Sequence, residues 1–250
     1  MNIGLYQSAS ALSALERWQD VVTQNITSSQ VSGYRKRTVN FSSQLGGELQ
    51  TGPSGRLASE GGGLPAVFPT VNTGINFTTG ETQPTHRDLD VAIQGDGFFE
   101  VQMPDGTKAY TRSGEFNVRA DRTLITTGGQ EVMSDSGNPI TLVPGLPDIT
   151  INRDGSVYQG DNSLGKLSVQ QFADPAKLTA VAGGYFLAGA GAQPVPVETP
   201  ELMQGYLEGS NVTPLREMVD MVLIARAYEA NQKIITTADQ TMQKTLEALG

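Results

Sequence analysis

The closing stretch of this chain, "SNVTPLREMVDMVLIARAYEANQKIITTADQTMQKTLEALG" from Ser210 onward, restricts the fold more than any other part of the sequence. Ser210 or Thr213 can cap a helix. Pro214 stands in the first turn, where the missing N–H has no partner to lose, and Glu217 follows where the helix dipole favours an acid. Met218, Met221, Ala225, Tyr228, Gln232, Ile235, Asp239, Met242, Leu246 and Leu249 then recur in steps of three and four. The stripe predicts one helix of about 36 residues, roughly 54 Å long at 1.5 Å per residue. Such a helix gains little without partners, because its stability comes from packing the stripe.

The matching period lies at the other end of the chain. Leu5, Leu12 and Ile26 are separated by seven residues or a multiple of seven, and Leu15 and Val22 form a second row three residues on from Leu12. Gln19 interrupts the pattern, and no Gly or Pro falls between Leu5 and Gln30, which allows one long helix. A period of 3.5 points to coiled-coil-like pairing of the two ends. Polar Gln232 and Asp239 inside the stripe make sense if more than two helices pack there, or if they set register.

Between the ends the period changes. Residues 44–63 hold seven glycines in twenty positions and read as a linker. Beyond them, "LDVAIQGDGFFEVQMPDGTKAYTR" alternates, and its "GDG" and "PDG" are hairpin-type turn signals. "RADRTLIT" and "INRDGSVYQ" continue the short strands, which predicts a sandwich or barrel. The expected fold class is therefore α+β. Residues 1–43 and 205–250 form a helical domain of paired N- and C-terminal helices, 44–65 a Gly-rich linker, and 66–204 a central all-β domain.

Composition removes several functions. The net charge is −9, distributed as +1 over residues 1–50, −3 over 201–250 and −7 between them. That distribution argues against nucleic acid as a partner, since such binding rests on neutralising phosphates. There is no cysteine, so disulfides, thiolate nucleophiles and cysteine-based metal sites are excluded. The opening "MNIGLYQSASALSALERW" lacks the basic start of a signal peptide, and no run approaches the roughly 18 apolar residues of a membrane span. No direct membrane insertion is expected, and export would need a route without a cleaved signal.

Candidate chemistry is sparse. Strand alternation would put Asp88 and Asp90 on one face, but "GDG" around Asp96 is a turn that favours aspartate for local hydrogen bonds, and no calcium-loop pattern is present. His86 is the only histidine and lies in a polar run without a nucleophile motif. The glycines 61–63 lack the Lys-Ser/Thr of a phosphate loop. Neither catalytic residue, metal nor cofactor is expected. Phe98 and Phe99 point to opposite faces of a strand: either both are buried in a sandwich, or one meets an edge or interface. Arg226 and Glu229 share a helix face near Tyr228 and Asn231, as a solvated pair or as an intersubunit polar contact.

Three blocks, in order along the chain, resemble the flagellar rod and hook proteins of bacteria. The first is "TQNITSSQVSGYRKR", residues 23–37, where Asn25, Gly33, Tyr34 and the basic Arg35, Lys36 and Arg37 match, and Ile26, Thr27 and Ser28 depart from the family's Leu-Ala-Asn. The second is "DLDVAIQGDGFFEVQMPDGTKAYTRSGEFNV", residues 88–118, with Asp90, Gly95, Gly97, Phe98 and Phe99 in its hairpin. The third runs from "QGYLEGSNV", which includes Asn211, through "RAYEANQK".

The resemblance implies a structural protein whose terminal helices form an inner assembly domain and whose β domain faces outward. It implies polymerisation with other copies and other rod proteins, delivery by the flagellum's own export machinery, and a place in the periplasmic rod of the basal body. Its length and short linker resemble a proximal rod member; a distal rod or short hook-type subunit is the alternative. A secreted carbohydrate-binding or carbohydrate-active β protein using Asp88 and Asp90, or Asp96 with Glu100, is a remote second class. In this reading residues 25–37 are a joint between the helical and β parts. Tyr34 packs back as an anchor, and the basic run meets acidic residues of neighbouring subunits.

Overall fold

The computed structural model describes residues 3–45, 67–145 and 149–249. The predicted Gly-rich linker lies, apart from its first two residues, outside the described residues. The chain divides into two compact units: Met1–Ile26, Arg37–Gly74 and Thr213–Gly250 form one, and Thr27–Lys36 with Ile75–Val212 the other. Residues 27–36, assigned by the sequence to the helical part, thus cluster with the strands.

The β unit is built from short antiparallel strands. Its main sheet has the order Leu178–Val181, Tyr185–Ala188, Lys108–Thr111, Phe98–Gln102, Glu131–Val132, Leu124–Thr126, Phe116–Val118, with Val169–Phe172 branching from Phe98–Gln102 and carrying Pro194–Pro196. The prolines of that last strand cannot extend the ladder, so it closes an edge. A three-stranded sheet joins Ile149–Ile151, Ser156–Gln159 and Asn162–Lys166, and two ribbons pair Val91–Gln94 with Glu201–Gln204 and Thr82–Pro84 with Tyr206–Glu208.

Strand Phe98–Gln102 is buried on both faces because two cores meet it. Phe99 belongs to the larger cluster with Val91, Val101, Phe116, Leu124, Leu167 and Leu202. Phe98 belongs to a second, aromatic cluster with Tyr110, Phe172, Leu178 and Phe186. Edge-on ring pairs link these residues, Phe99 to Phe116 at 5.2 Å and Tyr110 to Phe172 at 4.8 Å, the geometry the ring quadrupoles favour. The strand alternation is correct, and both phenylalanines are buried.

Two local readings need correction. "PDG" does turn between paired strands, but "GDG" does not: Val91–Gln94 pairs with Glu201–Gln204, so Gly95 and Gly97 carry the chain from one sheet into another. Gly97 has φ +136, and a Cβ there would stand 2.8 Å from Val169 Cγ1, so the position needs glycine for both backbone and space. Asp88 and Asp90 do not share a face either. Residues 88–89 form a turn, leaving Asp88 exposed and Asp90 buried.

In the other unit, helix α1 spans Ile3–Thr27 and helix α2 spans Pro214–Leu249, 36 residues. The Thr213 carbonyl accepts from the Arg216 and Glu217 amides, opening α2 at its predicted proline. Strands Arg37–Leu45 and Val67–Ile75 form a ribbon. Phe41 of the ribbon meets Trp18 of α1 edge-on at 5.5 Å, and Ser10 of α1 donates to the Pro69 carbonyl. The helices contact each other through Leu15, Val22 and Ile224, flanked by Trp18, Ile26, Met221, Ala227 and Tyr228.

Candidate functional site

A buried charge cluster organises the β unit around Glu208. Its Oε1 accepts from Arg35 Nη1 at 2.6 Å and from the Gly80 amide at 2.9 Å, its Oε2 accepts from Arg112 Nε at 2.8 Å, and its carbonyl accepts from the Gly33 amide at 2.7 Å. The three charged side chains are each about 2% exposed. Arg112 extends the cluster to the sheet-switching turn, donating to the carbonyls of Gly97 at 2.6 Å and Gly95 at 2.7 Å. Arg35 donates to the Thr78 carbonyl at 2.8 Å. Burial lowers the Arg35 guanidinium from its ordinary value, and the like charge of Arg112 adds to that, while the Glu208 carboxylate opposes both. Among the described residues Arg35 Nε is left without a hydrogen-bond partner, and a buried charge cluster of this kind fails when one member is removed.

Gly33 fits the same place sterically. Its φ is +67, and a Cβ would fall 2.4 Å from the Arg112 carbonyl carbon. Residues of all three sequence blocks therefore meet in one interior cluster: Gly33 and Arg35 of the first, Gly95, Gly97 and Arg112 of the second, and Glu208 of the third. Arg35 meets an acid of its own chain and is buried, so the expectation that it faces neighbouring subunits is corrected. The reason is the close seating of Gly33, which draws the next turn inward.

Two asparagines gather the chain where it passes between units, each within one unit. Asn211 in the β unit accepts from the Lys36 amide at 2.6 Å and donates to the carbonyls of Asn76 at 2.9 Å and Thr78 at 2.8 Å. Asn25 in the helical unit accepts from the Arg37 amide at 2.9 Å and donates to the Arg37 carbonyl and to Glu217 Oε2, both at 2.9 Å. Glu217 is 1% exposed. Tyr34 is buried in the β unit, and Arg37 Nη1 donates to Gln24 Oε1.

The helices place the predicted stripe differently. Met221, Tyr228 and Ile235 lie on the covered side, but the companion row is Glu217, Ile224, Asn231 and Ala238, one residue back from Met218, Ala225, Gln232 and Asp239, which are exposed. Ile224 outweighs Met218 as an anchor, and Asn25 accommodates Glu217. Gln232 and Asp239 thus need no special explanation inside a seam. On α1, Leu15, Val22 and Asn25 are buried and Leu12 half-buried, while the side chain of Leu5 is outside the described ones. Arg226 and Glu229 are exposed and, among the described residues, do not pair with each other. Met242 is also exposed.

What remains is an apolar surface. Leu215, at 74% exposure, Met218, Val219, Val222 and Leu223 project from the first turns of α2, and Ile234 and Leu246 project further on. Beyond Tyr6, the outward side of α1 presents small or polar residues instead: Ala9, Ser13, Glu16, Arg17, Asp20 and Thr23.

Among the described residues, the carboxylates singled out by the sequence do not gather at one place. Asp90 is fully buried with Arg87 Nη1 3.6 Å away, Glu100 is buried against Ser168 Oγ, and Asp88 and Asp96 are exposed. The carboxylate pairs weighed for carbohydrate chemistry therefore share no open face. Among the described residues no group of three or more His, Asp or Glu side chains can hold a metal ion.

Sequence reasoning missed Glu208 and Arg112, and took Glu217 only as a first-turn acid. The one signal for the first two was their place inside the blocks that carry the resemblance.

The chain thus combines a closed β unit, ends joined as contacting helices and an exposed apolar helix face. Residues 92–159 match the family model described as flagellar hook protein FlgE/F/G D1 domain, and residues 203–248 match flagellar basal body rod FlgEFG protein C-terminal. The flagellar basal-body rod protein FlgF of Caulobacter vibrioides is 31% identical over 252 residues, covering 100% of this chain and 99% of that protein. The rod proteins FlgG of Borreliella burgdorferi and Bacillus subtilis are 32% and 31% identical, covering 95% and 96% of the chain and the same shares of those proteins. The chain belongs to the flagellar basal-body rod protein family.

Proposed function

We propose that this chain is a structural subunit of the flagellar basal-body rod, polymerising with copies of itself and with other rod proteins into a hollow, periplasm-spanning shaft that transmits torque. The observation that carries the reading is the uncovered apolar face of α2. Five large side chains within its first turns, from Leu215 to Leu223, stand out from a helix whose opposite side is already seated on α1. Contiguous apolar surface of this kind marks an interaction site, and a contact between unlike patches repeats into a helical filament. The seam on α1 follows a 4-3 spacing, which supports coiled-coil-like packing once neighbouring helices complete it.

The subunit does no chemistry and holds no cofactor. It reaches the periplasm through the flagellar export machinery. A proximal position in the rod is the first choice, supported by the end-to-end match to a FlgF protein; a distal position is the second, supported by FlgG relatives of similar identity.

Deleting the chromosomal copy and supplying the chain on a plasmid tests this. Wild type restores swimming. Val222→Asp leaves the purified protein folded and fails to restore it. Normal swimming with Val222→Asp contradicts the assembly role of this face.

A further inference from the structure

The open sides of α1 and α2 carry matching rows. Along α1, Thr23, Asp20, Glu16, Ser13 and Ala9 are exposed, at steps of three, four, three and four read backwards along the chain. Along α2, Leu223, Arg226, Ala230, Lys233 and Thr237 are exposed at the same steps read forwards. Each row lies on the side of its helix away from the seam of Leu15, Val22 and Ile224. Their contents differ. The α1 row holds two acids and no large apolar side chain. The α2 row holds two bases and borders an open hollow lined by Ala230, Lys233, Ile234, Thr237, Ala238 and Thr241. Thr237 turns its hydroxyl back to the Lys233 carbonyl at 2.7 Å, so it asks for no hydrogen bond from an occupant of the hollow.

We infer that the occupant of the open face of α2 is helix α1 of a second copy, laid antiparallel with Thr23 against Leu223, Asp20 against Arg226, Ser13 against Lys233 and Ala9 against Thr237. The inference rests on the assembly role proposed for this face and names its partner. Within one chain the helices already run antiparallel, since Asn25 at the end of α1 donates to Glu217 near the start of α2. Copies that point the same way in an assembly keep that direction between neighbours. Charge chooses the pairing. Two α1 rows would set acids against acids, and two α2 rows bases against bases. Only α1 on α2 sets acid against base, which fixes partner and orientation more than it adds affinity. Size chooses the register. The short side chains of Thr23, Ser13 and Ala9 let the helices approach over Leu223 and the hollow. Sliding by one heptad either puts Asp20 on Val219 or carries Leu223 past Thr27, where α1 ends. With its own α1 on one side and a neighbour's on the other, α2 makes a heterologous contact that repeats and does not close on a pair.

Disulfide crosslinking in isolated basal bodies tests this, because the chain has no cysteine of its own. Thr23→Cys and Leu223→Cys are placed together in the full-length chain and supplied to the deletion strain. Mild oxidation is expected to link the chain into dimers and higher multiples, since facing Cβ atoms come within the ~3.5–4.5 Å that a disulfide spans. Either cysteine alone is expected to leave it monomeric. Monomer from the double variant, in basal bodies that contain it, overturns the inference. Dimers from Leu223→Cys alone overturn it too, because α2 then meets α2. Neither result touches the assembly role of the face, which Val222→Asp reads separately. Should the cysteine pair prevent assembly, charge reversal decides. Arg226→Asp is expected to lose swimming, and Asp20→Arg in the same chain to restore it. Full swimming by Arg226→Asp alone, or no rescue by Asp20→Arg, overturns the inference.

Discussion

Phe99 and Ile224 are both shielded from solvent, but the regions that shield them differ in kind. Phe99 sits in a cluster of sixteen buried residues drawn from strands along the whole β unit. Ile224 sits in a seam whose buried apolar cluster, among the described residues, holds only Leu15 and Val22 beside it. The first region closes on itself, and the second leaves most of a long helix uncovered. Since apolar burial contributes about 25 cal/mol per Å², the β unit holds its own stability, while the helices have an apolar face still to bury. In the proposed role, the difference separates the part of the subunit that folds from the part that assembles.

Truncation in the thicker core should cost most. Phe99→Ala removes a fully buried ring and is expected to destabilise the β unit by ~3–5 kcal/mol, read as an earlier tyrosine-monitored transition in urea. Ile224→Ala comes next, at ~2 kcal/mol, the low end for such truncations, because a thin seam collapses readily. Trp18 is the only tryptophan and lies against this seam, so its fluorescence reports the helical unit alone. Ile224→Ala should move the Trp18 transition and leave in place the main tyrosine transition, which comes from Tyr34, Tyr110, Tyr158, Tyr185 and Tyr206 of the β unit. A joint shift of both would show that the regions are not separable.

Exposed positions should divide folding from assembly more finely. Met218→Glu should change the stability of the free protein by no more than ~0.5 kcal/mol, as surface substitutions do, yet remove assembly. The smallest effect is expected at Asp121, where hydrogen bonds from Arg119 and then from the Thr123 amide hold the carboxyl at about 2, below its ordinary 3.8. A depressed carboxyl stabilises the fold above its ordinary value and loses that contribution as pH falls through about 2. Asp121→Asn should therefore match wild type least well at neutral pH and converge with it in strong acid, seen in melts across that range.

The helices are legible in the sequence because their signals are local: Pro214 fixes the start of α2, and period 3.5 runs through both ends. Which side of α2 is covered is not. Met218 and Glu217 are neighbours, and apolarity favours Met218; the buried Glu217 takes a hydrogen bond from Asn25, far away in sequence, which no local pattern announces. "GDG" misleads for a related reason. Turn chemistry reports a reversal of the chain, not which strand it then pairs with. Gly33 and the basic run after it stand out, but Gly33 and Arg35 find their place against Arg112 and Glu208, whose charges look like ordinary surface residues until long-range pairing buries them.

Whether the open face of α2 is the assembly surface can be seen by cryo-electron microscopy of isolated basal bodies. The expected map shows Leu215, Met218, Val219, Val222 and Leu223 of this chain buried in the rod against helices of neighbouring subunits. A map in which that face of α2 stays open to solvent, while neighbours contact only the β unit or the polar side of α1, would contradict it.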